Sequence, residues 1–292
     1  MATRPFVQVD VFADRPGAGN PLAVLPDPRG LDDAAMQAIA RWTRLPETTF
    51  VFPPTREGAS YGIRMFSPKR EVPFAGHPSV GTAHVVLESG LVQARDGLLV
   101  QEGIAGLLPL RVDAEEGVQR IAIRTPRARL VETADGRGSR MAEALDWLPL
   151  GALPPALMDG GRRWWVAEAR DEASLRNAMP DWDAIAGLAR GSESMGVLAF
   201  ARCSGSDYQV AARALVGGPA VFEDAASGAA NATLAAWLKH NDALPGSGGR
   251  YTVSQGREVG FDARLQLRVD ADGEVWSGGQ VCNVVRGTID WA

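Results

Sequence analysis

Phe74-Ala75-Gly76-His77-Pro78-Ser79-Val80-Gly81 is one of two stretches of like design. The other, Phe222-Glu223-Asp224-Ala225-Ala226-Ser227-Gly228-Ala229, follows about half a chain later. Each comes after a strand-like run, Tyr61 to Phe66 and Tyr208 to Leu215. Each ends in small residues and opens a helical run of alanine and aliphatic side chains, Val80 to Leu87 and Ala230 to Leu238. Gly76 and Gly228 lie 152 residues apart (228 − 76) in a chain of 292. The repeat predicts two related halves, each delivering a glycine-bordered helix N-terminus. Two such ends facing one cleft would hold a carboxylate, because free N–H groups and the helix dipole favour an anion there. The acids nearby supply groups that move protons.

The length suits two domains. A hydrophobic fraction of 46% and a charged fraction of 22% are those of a soluble globular protein with ample core. The net charge of −5, from 30 basic and 35 acidic residues, gives no electrostatic draw toward nucleic acid or an acidic membrane. The arginines between Arg124 and Arg129 and at Arg162 and Arg163 form short, interrupted runs that read as solvated surface. Cys203 and Cys282 make no metal motif and no disulfide framework, which fits a reducing cytoplasm. Met1 to Pro5 passes straight into strand-like Phe6 to Phe12 without the apolar core of a signal peptide. No window of 18 apolar residues is present, so no membrane span is expected.

Strand signals dominate. Leu22 to Leu25, Thr48 to Phe52, Leu98 to Gln101, Leu107 to Val112 and Gln119 to Arg124 are short runs bounded by Gly, Pro or charge. In the second half, Trp164 to Ala167, Gly196 to Ala201, Arg250 to Gln255, Arg264 to Val269 and Val275 to Gln280 read the same way. Asp32 to Thr43 reads as a helix with Ala35, Ile39 and Trp42 on one face, and Val80 to Ser89 as one closed by Gly90. Ser139 to Trp147, Glu172 to Asn177, Trp182 to Ala189 and Ala229 to Lys239 are the remaining helices. The linker is expected at Val131 to Arg140 or at the turn Asp113 to Gly117. The domains are accordingly drawn as 1–116, with 280–292 crossing back, and 117–279. Many short strands and few helices point to an α+β fold rather than a doubly wound parallel sheet.

Three residues are candidates for chemistry. Glu47 follows Pro46 at the edge of an apolar strand, where partial desolvation raises a carboxyl pKa toward a value useful for proton transfer; the plain alternative is a turn glutamate. His77 sits at a helix mouth, whose positive end favours a neutral imidazole; alternatively it caps the helix. Asp224 is either an N-cap or the second carboxylate of a proton-moving pair. His84 and His240 read as structural, and three scattered histidines make no metal site. Neither a phosphate loop nor a GxGxxG fingerprint follows a strand, and GxSxG is absent, so nucleotides, nicotinamide cofactors and a serine hydrolase lack support.

Taken in order, these residues resemble the PhzF-like phenazine-biosynthesis family, related in fold to diaminopimelate epimerase and proline racemase. The matching fragments are Asp10-Val11-Phe12, Gly19-Asn20-Pro21, Glu47-Thr48-Thr49-Phe50, Arg64 to Pro68, Glu71 to Ser79, Glu223-Asp224, Ser227-Gly228 and Gln255-Gly256. The resemblance implies two similar domains, each a barrel-like, mostly antiparallel sheet around a central helix, with the active site between them. It implies a homodimer that needs no cofactor and no metal. The family's best-understood member isomerises trans-2,3-dihydro-3-hydroxyanthranilate by moving a proton. Carried over, Glu47 is the proton shuttle, and His77 and Asp224 orient substrate or relay protons. Gly76, Ser79, Ser227, Gly228 and Ala229 then bind a small carboxylate substrate. Ala229 stands where the family usually has a serine, Phe261 where an arginine is common, and Ser79 for a threonine. The expectation is a cofactor-independent isomerase of a small cyclic or amino carboxylic acid. A small-molecule binding or scaffold protein on the same fold is the alternative, favoured by Ala229 and Phe261.

Overall fold

The computed structural model describes residues 2–115, 117–134, 140–204, 207–218 and 220–291. The chain divides into two compact units, Met1–Arg124 with Gly278–Ala292, and Thr125–Ser277. The first runs β1 (Ala2–Val11), β2 (Asn20–Leu25), α1 (Asp33–Thr43), β3 (Glu47–Phe52), β4 (Tyr61–Phe66), β5 (Glu71–Val72), α2 (Gly76–Glu88), β6 (Leu98–Gly103), β7 (Gly106–Glu115) and β8 (Val118–Arg124). Next come β9 (Arg129–Thr133), α3 (Arg140–Ala144), β10 (Ala156–Asp159), β11 (Arg163–Glu168), α4 (Glu172–Asn177), α5 (Trp182–Ser192), β12 (Gly196–Arg202), β13 (Val210–Val216) and β14 (Phe222–Asp224). The chain ends with α6 (Gly228–His240), β15 (Arg250–Gln255), a 3-10 turn (Arg257–Val259), β16 (Ala263–Val269), β17 (Val275–Gly279) and β18 (Val281–Trp291).

The two units repeat one pairing scheme. In the first, β1–β2 is antiparallel, β2–β3 parallel, β3–β4 and β4–β5 antiparallel, β4–β6 parallel and β6–β7 antiparallel. In the second the same order holds for β10–β11, β11–β12, β12–β13, β13–β14, β13–β15 and β15–β16. In each unit the sheet wraps one helix. The helix α2 packs on β1, β2, β3 and β8, and α6 on β9, β10, β11, β12 and β16. Both are buried on nearly every side, as a helix apolar all round must be. Gly81 lets α2 come close: a Cβ there would meet Leu22 Cδ2 at 2.6 Å and Val11 Cγ2 at 2.7 Å. The fold is therefore α+β, with a barrel-like sheet around a central helix in each unit. The chain's last strand returns to its first: β18 runs antiparallel to β1 from Ala2↔Trp291 to Val11↔Val281.

Several sequence expectations need correction. The stretch read as a linker from Val131 begins inside β9, which pairs with β10; residues 135–139 lie outside the described residues. The turn at Asp113 to Gly117 closes the β7–β8 hairpin, with Glu115 opposite Val118 and residue 116 outside the described set. The helix expected over Ser139 to Trp147 is only α3. On α1 the buried residues are Met36, Ile39 and Ala40. Trp42 is 63% exposed and meets Trp291 edge-on, so the apolar face is rotated from the one read in the sequence.

Candidate active site

In the first unit, Glu47 opens β3 and His77 is the second residue of α2. Their side chains meet, with His77 Nε2 3.4 Å from Glu47 Oε2, and both are largely buried. Glu47 is a strand residue, not a turn glutamate. His77 does not cap its helix: the N-cap is Ala75, which has no side chain to offer. Instead the imidazole N–H donates to the Pro21 carbonyl. Nε2 is buried without a hydrogen bond, so the proton is assigned to Nδ1. Burial pushes the His77 pKa down to about 3, and the Pro21 bond opposes that fall. The neutral ring expected at this helix mouth is thus present, but desolvation is its main cause.

The Pro21 carbonyl is fixed by a tight loop. Gly17 N–H donates to the buried Asp10 carboxylate at 2.5 Å. A Cβ on Gly19 would collide with the Val11 carbonyl oxygen, so only glycine fits there. Gly76 begins α2, where the first N–H groups have no intrahelical acceptor. Ser79 is fully buried, and its hydroxyl donates to the Ala75 carbonyl at 2.9 Å. Its proton is therefore spent inside the helix rather than offered to a ligand.

In the second unit, Asp224 ends β14 and Ser227 caps α6, its Oγ accepting from Ala230 N. The cap reading of Asp224 is thereby corrected: its carboxylate accepts from Ala226 N at 3.2 Å and from the Ser227 hydroxyl. Burial nonetheless pushes its pKa up to about 6, those two bonds opposing the rise. Gly228 and Ala229 form the first turn of α6, and the Ala229 methyl adds no polar group. Glu223 beside Asp224 is neutralised by a bidentate bond to buried Arg213, Nε–Oε1 at 3.0 Å and Nη2–Oε2 at 2.8 Å.

Residue types alone did not single out Gln255 and Asn231, both fully buried. Gln255 Nε2 donates to the Asp224 carbonyl at 2.8 Å; Oε1 accepts from Asn231 Nδ2 at 2.7 Å and from Ser227 N at 3.3 Å. The signal in the sequence was the glycine that follows. Gly256 has φ +94°, and a Cβ there would strike the Ala225 carbonyl oxygen. Near Phe261 the turn keeps a cation of its own: Arg257 bonds Asp262 at 2.8 Å and lies 5.2 Å from the Tyr208 ring centre. His84 and His240 are structural as read. The first contacts Gln119 and Asn283, and the second stacks on Trp237. Among the described residues no group of three or more His, Cys, Asp or Glu could hold a metal ion.

The chain is 31% identical to antisense-enhancing sequence 1 of Schizosaccharomyces pombe, with 98% of this chain and 99% of that one covered. It is 32% identical to the trans-2,3-dihydro-3-hydroxyanthranilate isomerase of Pseudomonas aeruginosa, covering 92% and 91%. Its fold matches the crystal structure of the Bacillus anthracis phenazine biosynthesis protein of the PhzF family, at a TM-score of 0.83, 22% identity and coverage of 99% and 100%. A family model described as phenazine biosynthesis-like protein matches residues 9–286. With this fold, this span and isomerases among its relatives, the chain belongs to the phenazine biosynthesis-like family and is an isomerase.

Proposed function

We propose that this isomerase moves a proton between carbons of a small cyclic or amino carboxylic acid, without a cofactor, and that Glu47 carries the proton. The observation behind this is the buried Glu47–His77 pair. The Glu47 carboxylate removes a proton from a carbon next to an activating group. The electron pair of that C–H bond moves into the substrate's π-system, and Glu47 returns the proton to a second carbon. While Glu47 is protonated, its O–H donates to the lone pair on His77 Nε2, which a neutral Nδ1–H ring leaves available. His77 thus stabilises the loaded carrier without taking the proton. Asp224, able to hold a proton up to about pH 6, orients substrate or relays protons. N–H groups at Gly76 and at Gly228 and Ala229 are the carboxylate donors. Dihydro-hydroxyanthranilate belongs in the first substrate panel because a relative named for it is 32% identical.

The reading includes a homodimer in a reducing cytoplasm. Cys203 and Cys282 are both free thiols, which is compatible with that compartment. No described helix is long and apolar enough to cross a membrane. The test is deuterium incorporation from D₂O across a panel of small carboxylic acids, with Glu47→Gln alongside. Uptake at carbon that disappears in the variant is expected; uptake that continues unchanged removes Glu47 from the mechanism.

A further inference from the structure

We propose that Gln255 is a positioning residue for Asp224, holding the carboxylate-bearing loop and the first turn of α6 in one fixed arrangement. This rests on the catalytic reading of Asp224 given above. The geometry carries the rest. Gln255 is fully buried, and among the described residues its side-chain amide bonds to the segment from Asp224 to Asn231, while its backbone stays in the β15 ladder. Its amide bridges three points of that segment: the Asp224 carbonyl, the Ser227 N–H and the Asn231 side chain. Asn231 in turn donates to the Ser227 carbonyl at 2.9 Å, tying the same loop to α6. The loop has few other ways to satisfy these groups, since residues 225 and 226 are alanines.

Close approach of the two backbones makes the bridge possible. Gly256, next in sequence, lies against the Ala225 carbonyl where no side chain fits. On the other side, Arg213 clamps Glu223, also donating through Nη1 to the Leu175 and Ala178 carbonyls at 3.1 and 2.7 Å. Asp224 is thus gripped between an arginine clamp on its preceding neighbour and the Gln255 amide on its own carbonyl. An apolar isostere at 255 takes a partner away from the Asp224 carbonyl, the Ser227 N–H and the Asn231 amide, and buried polar groups deprived of a partner draw in water or move. Either response hydrates the Asp224 carboxyl.

The experiment compares the full-length protein with Gln255→Met, nearly the same in shape but without polar atoms. Carboxyl ¹³C NMR of aspartate-labelled protein, assigned with Asp224→Asn, reads the Asp224 titration without any substrate. In Gln255→Met we expect the Asp224 midpoint to fall by about one unit or more toward the ordinary aspartate value as water reaches it. Deuterium incorporation should fall about ten- to a hundred-fold, its pH profile displaced with the midpoint. A residue that merely holds the fold together would lower the rate without displacing the profile. An unchanged Asp224 midpoint in folded Gln255→Met overturns the proposal. Should that variant fail to fold, the Ser227 amide of the wild-type protein decides. Gln255 Oε1 accepts its proton, so exchange slowed about ten-fold or more relative to an open loop is expected, and an unprotected amide overturns the proposal. These readings are independent of Glu47→Gln, so failure of the reaction and failure of the Gln255 role are separately visible.

Discussion

His77 gives its one proton to Pro21 and keeps one lone pair toward Glu47, and burial fixes that state across the neutral range. Its pKa of about 3 in the fold lies below the ordinary 6.5. Between those values the unfolded chain binds the extra proton, so this residue makes stability rise with pH there. Asp224 acts in the opposite sense. Its folded pKa of about 6 lies above the ordinary 3.8, so the stability it contributes is present below 3.8 and lost as pH rises through about 6. From about pH 4 to 6 the two slopes oppose each other. Removing one uncovers the other. Relative to the wild type, Asp224→Asn should gain stability as pH rises from about 4 to 6, and His77→Asn should lose it. Urea unfolding across that range checks both signs, and parallel curves for the two variants would refute them. The residue types pointed to a neutral His77 ring but not to desolvation as its main cause, and the raised Asp224 pKa was not legible in them. Glu47 and His77 are far apart in sequence, and what joins them is the approach of β3 to the mouth of α2, a tertiary fact.

Duplication appears most sharply at the level of elements. Arg64 and Glu71 form a bidentate pair joining β4 to β5, as Arg213 and Glu223 join β13 to β14. The offset 223 − 71 equals 228 − 76, so strand end and helix start repeat in step. Ser79 and Asn231 share that offset, and each back-bonds to the cap carbonyl of its helix. The two clamps differ in burial. Arg213 and Glu223 keep 5% and 4% of their side-chain surface, Arg64 and Glu71 28% and 25%. Removing one partner of the buried pair leaves a charge without water or counter-ion, so Glu223→Gln should cost about 3–5 kcal/mol. Glu71→Gln, at a wetter site, should cost about 1 kcal/mol or less. Denaturant titration of both variants checks the contrast; equal losses would contradict it. Gly81→Ala should cost about 1–3 kcal/mol through overpacking against Leu22 and Val11. The long elements were legible because their signals are local. The span of β4 was read to the residue, and Gly90, with φ +71°, does follow the C-cap of α2. Missed were β5, β9, β10 and β14, five residues or shorter, whose pairing is set by partners rather than by their own alternation. Asp224 was read partly as a cap because aspartate favours that position, yet the chain puts Ser227 there.

For the molecule as a whole, the informative asymmetry is in chain order. The second unit, Thr125–Ser277, is one continuous run, and the first is made of two segments that flank it. A fragment covering 125–277 should therefore fold by itself, with a cooperative unfolding transition and dispersed amide spectra. A fragment ending at residue 280 should leave the first unit unstable, because β1 loses the ladder with β18 that runs along all of it. A 1–280 fragment whose first unit melts as in the full chain would count against this. The same ladder sets a timetable during synthesis. At about 5–20 residues per second, roughly a quarter of a minute to a minute separates the emergence of β1 from that of β18. Through that interval one edge of β1 has no mate. The half that leaves the ribosome first is the half completed last, so Glu47 and His77 should reach their final surroundings only after the Asp224 loop has emerged.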